Sequence, residues 1–192
     1  ALVIRGFSFA PCSKSGAKFD FEKAKWFNHE YLMATDDAAL AELFKPVLAE
    51  HVDVAQFTDE YIAEAVGTVK NRINFVKDLW TNAAFYFQAP VEYAPKDVKK
   101  RWKEDTPKLM GELITVLEGI ADFSDAAATE ATVMAWIKGN EYHMGNVMNA
   151  FRLTVVGECK GPHMFEITRL LGKEETIARI KRGVEAIHLP NE

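Results

Sequence analysis

Apolar residues recur at helical spacing along nearly the whole chain, and the alternation expected of strands is missing. The clearest run is Ile62, Val66, Val69, Ile73, Val76 and Trp80. It steps by four and three residues along one face and predicts one long helix, opened by Thr58 as N-cap. Ahead of it, "DFEKAKWFNHEYLMA" predicts a helix capped by Asp20, with Ala24, Phe27, Tyr31 and Leu32 sharing a side. "DDAALAELFKPVLAEH" begins with carboxylates, which suit the positive end of a helix, and Pro46 is expected to kink or break it. "FYFQAPVEYAPKD" reads as a packed aromatic connection. Helices are then expected through "KLMGELITVLEGI", through "DAAATEATVMAWIKG" with Ser124 as cap, and through "NVMNAFRLTVV" up to Gly157. "PHMFEITRLLG" and "KEETIARIKRGVEAI" complete the set, the second carrying Ile177, Ile180, Val184 and Ile187 at coiled-coil-like spacing.

The fold class expected is therefore all-α, with roughly eight helices packed as two subdomains. Asp, Ser and Gly cluster in "GIADFSDAA", which sets the expected boundaries: residues 1–13 an irregular N-terminal edge, 14–121 a first helical subdomain, 122–192 a second. No internal repeat and no low-complexity tract interrupts this pattern.

Composition is that of an ordinary globular chain: 192 residues, 48% hydrophobic and 27% charged. No apolar run is long enough to span a bilayer. The opening "ALVIRGFSFAPC" lacks a starting Met and is interrupted by Arg5 and Gly6, so it makes a poor signal peptide and reads as the edge of a fragment. Two cysteines, Cys12 and Cys159, are too few for a disulfide framework, which points to a reduced, cytoplasmic setting. A net charge of −5 removes bulk attraction to nucleic acid. Local patches are another matter. "PKDVKKRWK" and "KEETIARIKR" concentrate basic residues, and screening confines each field to roughly 8–10 Å.

Catalytic motifs are missing: no GxxxxGK[ST], no GxGxxG and no GxSxG. The five histidines (His29, His51, His143, His163, His188) are scattered, with no pair four residues apart on one helix. Cys159 and His163 are four apart, yet Gly161-Pro162 separates them and no second pair completes a tetrahedral zinc site. The carboxylate pairs Asp36/Asp37 and Glu174/Glu175 open helices, where the dipole accounts for them. "SKSG" (Ser13 to Gly16) looks like the lysine loop of class I aminoacyl-tRNA synthetases, without the Lys-Met pattern or nucleotide fold that would make it useful. By itself, this chain is not expected to be a catalyst.

Three segments taken together resemble one family. "SGAKFDFEKAKWFNHEYL" is similar to the S-x-A-x-F-D-x-x-K-x-x-W-x-N element of bacterial glutamyl-tRNA synthetases, class I enzymes. "VKNRINFVKDLWTNAAFYFQAPVEY" resembles that family's helix and aromatic connection. "MNAFRLTVVGECKGPHMFEITRLLGKEETIARIKR" resembles the closing helices of its anticodon-binding domain. The resemblance runs from Ser13 to Ile187, in order. It implies the C-terminal, α-helical cage-type anticodon-binding region of a glutamate–tRNA ligase. The catalytic domain that uses ATP and magnesium would then lie upstream, and the fragment itself would need no cofactor.

The partner so implied is the anticodon loop of glutamate tRNA, tRNA(Glu), bound by a monomer without DNA or membrane. Arg72 and Arg152 fall where family arginines contact the anticodon. Cytosine offers acceptors at O2 and N3 on its pairing edge, which suit guanidinium donors, whereas guanine offers donors. The residues alone leave alternatives. Arg72 could be a solvated arginine beside the apolar stripe, and Arg152 could be a partly buried ion pair with Glu158 or another carboxylate. Gly161 and Pro162 are expected to open a helix whose first N–H groups face outward, and Met164 and Phe165 to offer apolar surface to splayed bases. Against this, Met or Phe at a helix start is more often packing, and Phe165 is expected to be the more buried. Lys99, Lys100, Arg101 and Lys160 are candidate phosphate contacts, or simply a charged solvent face. Two readings of other classes stand beside RNA binding: a helical protein-interaction scaffold, and a small metal-dependent enzyme for which no ligand cluster is found. Arg72 and Arg152 on one surface would favour RNA; opposite faces would favour the scaffold.

Overall fold

The computed structural model describes residues 20–188, so Cys12, the "SKSG" loop and the expected irregular edge at 1–13 lie outside the described residues. Among the described residues the chain is all-helical, with ten α-helices rather than roughly eight. In order these are α1 (Phe21–Ala34), α2 (Asp37–Leu48), α3 (Asp59–Val69), α4 (Asp78–Phe87), α5 (Pro95–Arg101), α6 (Thr106–Glu118), α7 (Ala126–Gly139), α8 (Met144–Val156), α9 (Met164–Leu171) and α10 (Lys173–Ala186). Short 3-10 turns occupy Val54–Gln56 and Lys70–Arg72.

Local chemistry sets most helix starts. Asp20 accepts the Lys23 amide at 3.0 Å, and Thr58 accepts that of Tyr61 at 3.1 Å. At α7 the cap is Asp125, which accepts from Ala128 at 2.9 Å, and not Ser124 as expected. The Ser124 hydroxyl is instead engaged by Asp122 at 2.6 Å. Pro46 sits in the last turn of α2, which ends two residues later at Leu48.

The largest departure from the pattern lies between residues 58 and 80. The expected single helix breaks at Lys70–Arg72 and restarts at Asp78. Asp78 takes the amides of Asn74 and Phe75 on one carboxylate oxygen, at 3.0 and 2.9 Å, and so caps a turn. The apolar stripe continues across the break because Val69, Ile73 and Leu79 all reach the core. Periodicity alone could not distinguish this from one helix.

Buried side chains form one continuous core, from Leu40 and Phe44 of α2 to Ile180 of α10. Helices α2, α3 and α4 pack together. The α6 helix packs on α7, α8 and α10, and α9 bridges to α3 and α4. Residues 119–125 form the loop that leads from α6 to α7. Polar groups fasten the bridge. Arg169 of α9 reaches Glu64 of α3 at 2.8 Å, and Arg179 of α10, only 3% exposed, donates to the carbonyls of Phe85 and Val155 and to Glu175.

The α1 helix departs from its pattern. Leu32 is buried, but Phe27 and Tyr31 of the expected apolar face are 47% and 73% exposed. Polar side chains dock this helix instead: Asn28 donates to the Asn74 carbonyl, and His29 Nδ1 lies 2.6 Å from that of Ile73.

Candidate nucleic-acid interface

Two chain reversals, far apart in sequence, meet at one place. The first is the turn after α3. Lys70 turns inward and holds the Thr35 carbonyl and the Asp37 carboxylate (2.8 Å), while the neighbouring Arg72 projects outward. The second follows α8. Gly157 ends that helix at φ +94°, a left-handed backbone that disfavours a side chain, and a Cβ there would also lie 2.9 Å from Pro90. Asp97 of α5 then accepts the Cys159 amide at 2.8 Å and directs the chain to Gly161.

Arg72 Nη2 donates to the Gly161 carbonyl at 2.7 Å. A Cβ built on Gly161, whose φ is +137°, would stand 3.0 Å from Arg152 Nη1. Both arginines therefore converge on one glycine. Arg152 forms no ion pair with Glu158 or another carboxylate among the described residues; Glu158 pairs with Lys160 at 2.9 Å. Its Nη1 is buried without a hydrogen-bond partner. Burial first, and then the like charge of Arg72, lower the affinity of this guanidinium for its proton, with partial relief from Cys159. Two cations held together with an unspent donor form a site for acceptor atoms or negative charge.

Just beyond, α9 starts at Met164, and His163 makes no side-chain cap.

With this geometry in place, comparison with known proteins is decisive. A family model described as an anticodon binding domain matches residues 39–184. The chain belongs to the anticodon-binding domain family. It is 54% identical over 185 residues to the glutamate–tRNA ligase of Porphyromonas gingivalis strain W83, covering 96% of this chain and 36% of that protein. The corresponding ligase of Bacteroides fragilis is 56% identical over the same share. Among solved structures, the glutamate tRNA ligase of Elizabethkingia meningosepticum, in complex with its amino acid, superposes with TM-score 0.85. It is 36% identical, over 95% of this chain and 36% of that one. That of Elizabethkingia anophelis superposes with TM-score 0.81 at 36% identity, over 94% and 34%. The chain thus spans about a third of the length of these relatives, 36% for the curated ones.

In this anticodon-binding domain the remaining candidates divide. Pro162 is buried, and Met164 and Phe165 are only 2% and 1% exposed, the latter packing edge-on against Phe151 at 6.3 Å. The expectation that Met164 and Phe165 offer exposed surface to bases is therefore corrected. The α9 helix is short and must bury one whole face to be held, which takes both residues. Arg101 lies on the cluster's side of α5, where its charge acts on the Cys159 thiol. Lys99, two residues away, lines a separate cavity with Ile187 and His188. Lys100 and Lys160 are exposed.

Cys159 and His163 point to different partners. The thiol faces the Asn149 carbonyl at 3.6 Å, and the imidazole stands 3.5 Å from Glu130. Burial, with the Asp97 charge, pushes the thiol up to about 11 despite Arg101 and Arg152 nearby. Among the described residues, no three His, Cys, Asp or Glu side chains are grouped as a metal would require. Residues missed in sequence are those beside Arg72, namely Trp26, His29 and Asn71, which line a cavity with it. The only signal was the tryptophan inside the K-x-x-W-x-N element.

Proposed function

We propose that this chain is the anticodon-reading module of a longer glutamate–tRNA ligase, and that its partner is the anticodon loop of glutamate tRNA. The observation that carries this reading is the convergence of Arg72 and Arg152 on Gly161, two cations on one surface without a carboxylate partner among the described residues. A scaffold whose arginines serve salt bridges would have paired them. Arg72, exposed at its outer edge, donates to the O2 and N3 acceptors of a cytosine in the third anticodon position. A guanine there presents donors to the same donors, at a cost of about 1–3 kcal/mol. Arg152 supplies further donors and Gly161 a backbone N–H, while Pro162, which has no N–H to give, and the buried Met164 and Phe165 set the shape of the turn around them. Lys100, Arg101 and Lys160 hold phosphates, with Lys99 the least well placed of the four. Activation of glutamate by ATP with magnesium falls to the length of the relatives that this chain does not span. The module acts as a monomer in the cytoplasm, away from DNA and membranes, and none of its described helices is long and apolar enough to cross a bilayer.

The test is binding of the chain to glutamate tRNA at low salt, beside a variant tRNA with G as third anticodon base and an Arg72→Gln protein. Preference for the native anticodon, lost in Arg72→Gln, is the expected result. Equal affinity for both tRNAs would move discrimination away from Arg72. Failure to bind either at low salt would favour the scaffold.

A further inference from the structure

Arg72 has a second environment. It also helps line a cavity of about 300 Å³ between α1 and the 70–74 turn, together with Glu22, Lys25, Trp26, His29 and Asn71. The walls are fastened to each other, because Asn28 and His29 of α1 bond the carbonyls of Asn74 and Ile73 in the turn. Trp26 is nevertheless 55% exposed, its ring braced edge-on by Phe27 at 4.9 Å. The Asn71 amide is exposed and makes no side-chain hydrogen bond among the described residues. An open indole, an unspent amide and two cations on a fixed frame match the needs of one flat, polar, negatively linked group. A purely apolar partner would leave Asn71, Lys25 and Arg72 unpaired. A free anion would make no use of the indole.

We infer that this cavity is a nucleotide subsite: one unpaired base of the bound RNA stacks on Trp26, next along the strand to the base that Arg72 reads. Asn71 hydrogen-bonds the base edge, and Lys25 and Arg72 lie within reach of the flanking phosphates. Glu22 repels phosphate but accepts from an exocyclic amine, so the subsite prefers adenine, cytosine or guanine over uracil. Continuity with the arginine cluster through Arg72 is what selects RNA as the occupant. The inference rests on the reading of the chain as an RNA-binding module.

The experiment measures binding of the full chain to a fluorescent anticodon stem-loop of glutamate tRNA at low salt. It compares Trp26→Ala, Trp26→Phe and Asn71→Ala on the native loop and on loops made abasic at one nucleotide on either side of the third anticodon base. Trp26 is exposed, so these variants fold, and a circular-dichroism melt verifies it. The expected result is binding roughly 5- to 100-fold weaker for Trp26→Ala, with recovery in Trp26→Phe. That loss should vanish on the one abasic loop that has already removed the stacked base. Wild-type affinity in Trp26→Ala, or the same loss on every abasic loop, overturns the subsite while leaving Arg72-dependent binding intact. Absence of RNA binding by the unaltered chain overturns the RNA reading and the subsite together.

Discussion

Arg72 Nη2 donates to the carbonyl of Gly161 at 2.7 Å, across 89 positions of sequence. The bond joins the turn after α3 to the loop after α8, and the same glycine leaves room for Arg152 by having no side chain. Gly161→Ala must strain a backbone at φ +137° and press a methyl against Arg152 Nη1 at 3.0 Å. We expect a stability loss of about 1–3 kcal/mol in urea titration, and weaker RNA binding than that loss explains.

Arg152 should show the opposite pattern. Its buried Nη1 lacks a partner, so an apolar replacement removes an unsatisfied cation from the interior. Arg152→Met is expected to leave stability unchanged or to raise it by about 1 kcal/mol while RNA affinity falls at least roughly tenfold. A large loss of stability would mark Arg152 as part of the fold.

Arg179 is the counter-example, a buried arginine held by partners at Nε and Nη1. It donates to two main-chain carbonyls and to Glu175 at 2.7 Å. Arg179→Ala orphans these acceptors and is expected to cost about 3–5 kcal/mol, read as a lowered melting temperature. Arg179→Lys cannot span the same three acceptors and should recover little of it.

Gly183 sits where α10 crosses α8, and a Cβ there would fall 2.7 Å from Thr154 Cγ2 and 3.0 Å from its Cα. The second contact is with main chain and cannot rotate away. Gly183→Ala should destabilise by about 1–3 kcal/mol, although alanine is the better helix former. Equal stability would show that the two helices can separate.

Cys159 should be a poor nucleophile. Its proton affinity is raised to about 11 from 9.0, chiefly by burial, so at pH 8 only about one thiol in a thousand is ionised. In a Cys12→Ser background, Ellman's reagent is expected to label the folded chain slowly at pH 8. The rate should rise steeply as pH approaches 11, and labelling should be fast in denaturant.

Helices and their caps were legible in sequence because their causes are local. Asp20 and Thr58 cap the helices they precede, Gly157 ends α8, and outside α1 apolar spacing identified the faces that reach the core. The family was legible for the same kind of reason, since its signature lies in contiguous segments. Tertiary structure decided the rest. It broke the run from Ile62 to Trp80 into two helices, because the Asp78 carboxylate could gather a turn while Val69, Ile73 and Leu79 stayed buried. It buried both Met164 and Phe165, because a helix as short as α9 is held only by its packing. It brought Arg72 to Arg152 through a carbonyl and an absent methyl, neither of which leaves any periodic mark in the chain. Sequence by itself determined the helical class, most of the helices and the family they form. Where two arginines meet depends on how distant turns are clamped, and only the packed fold sets that.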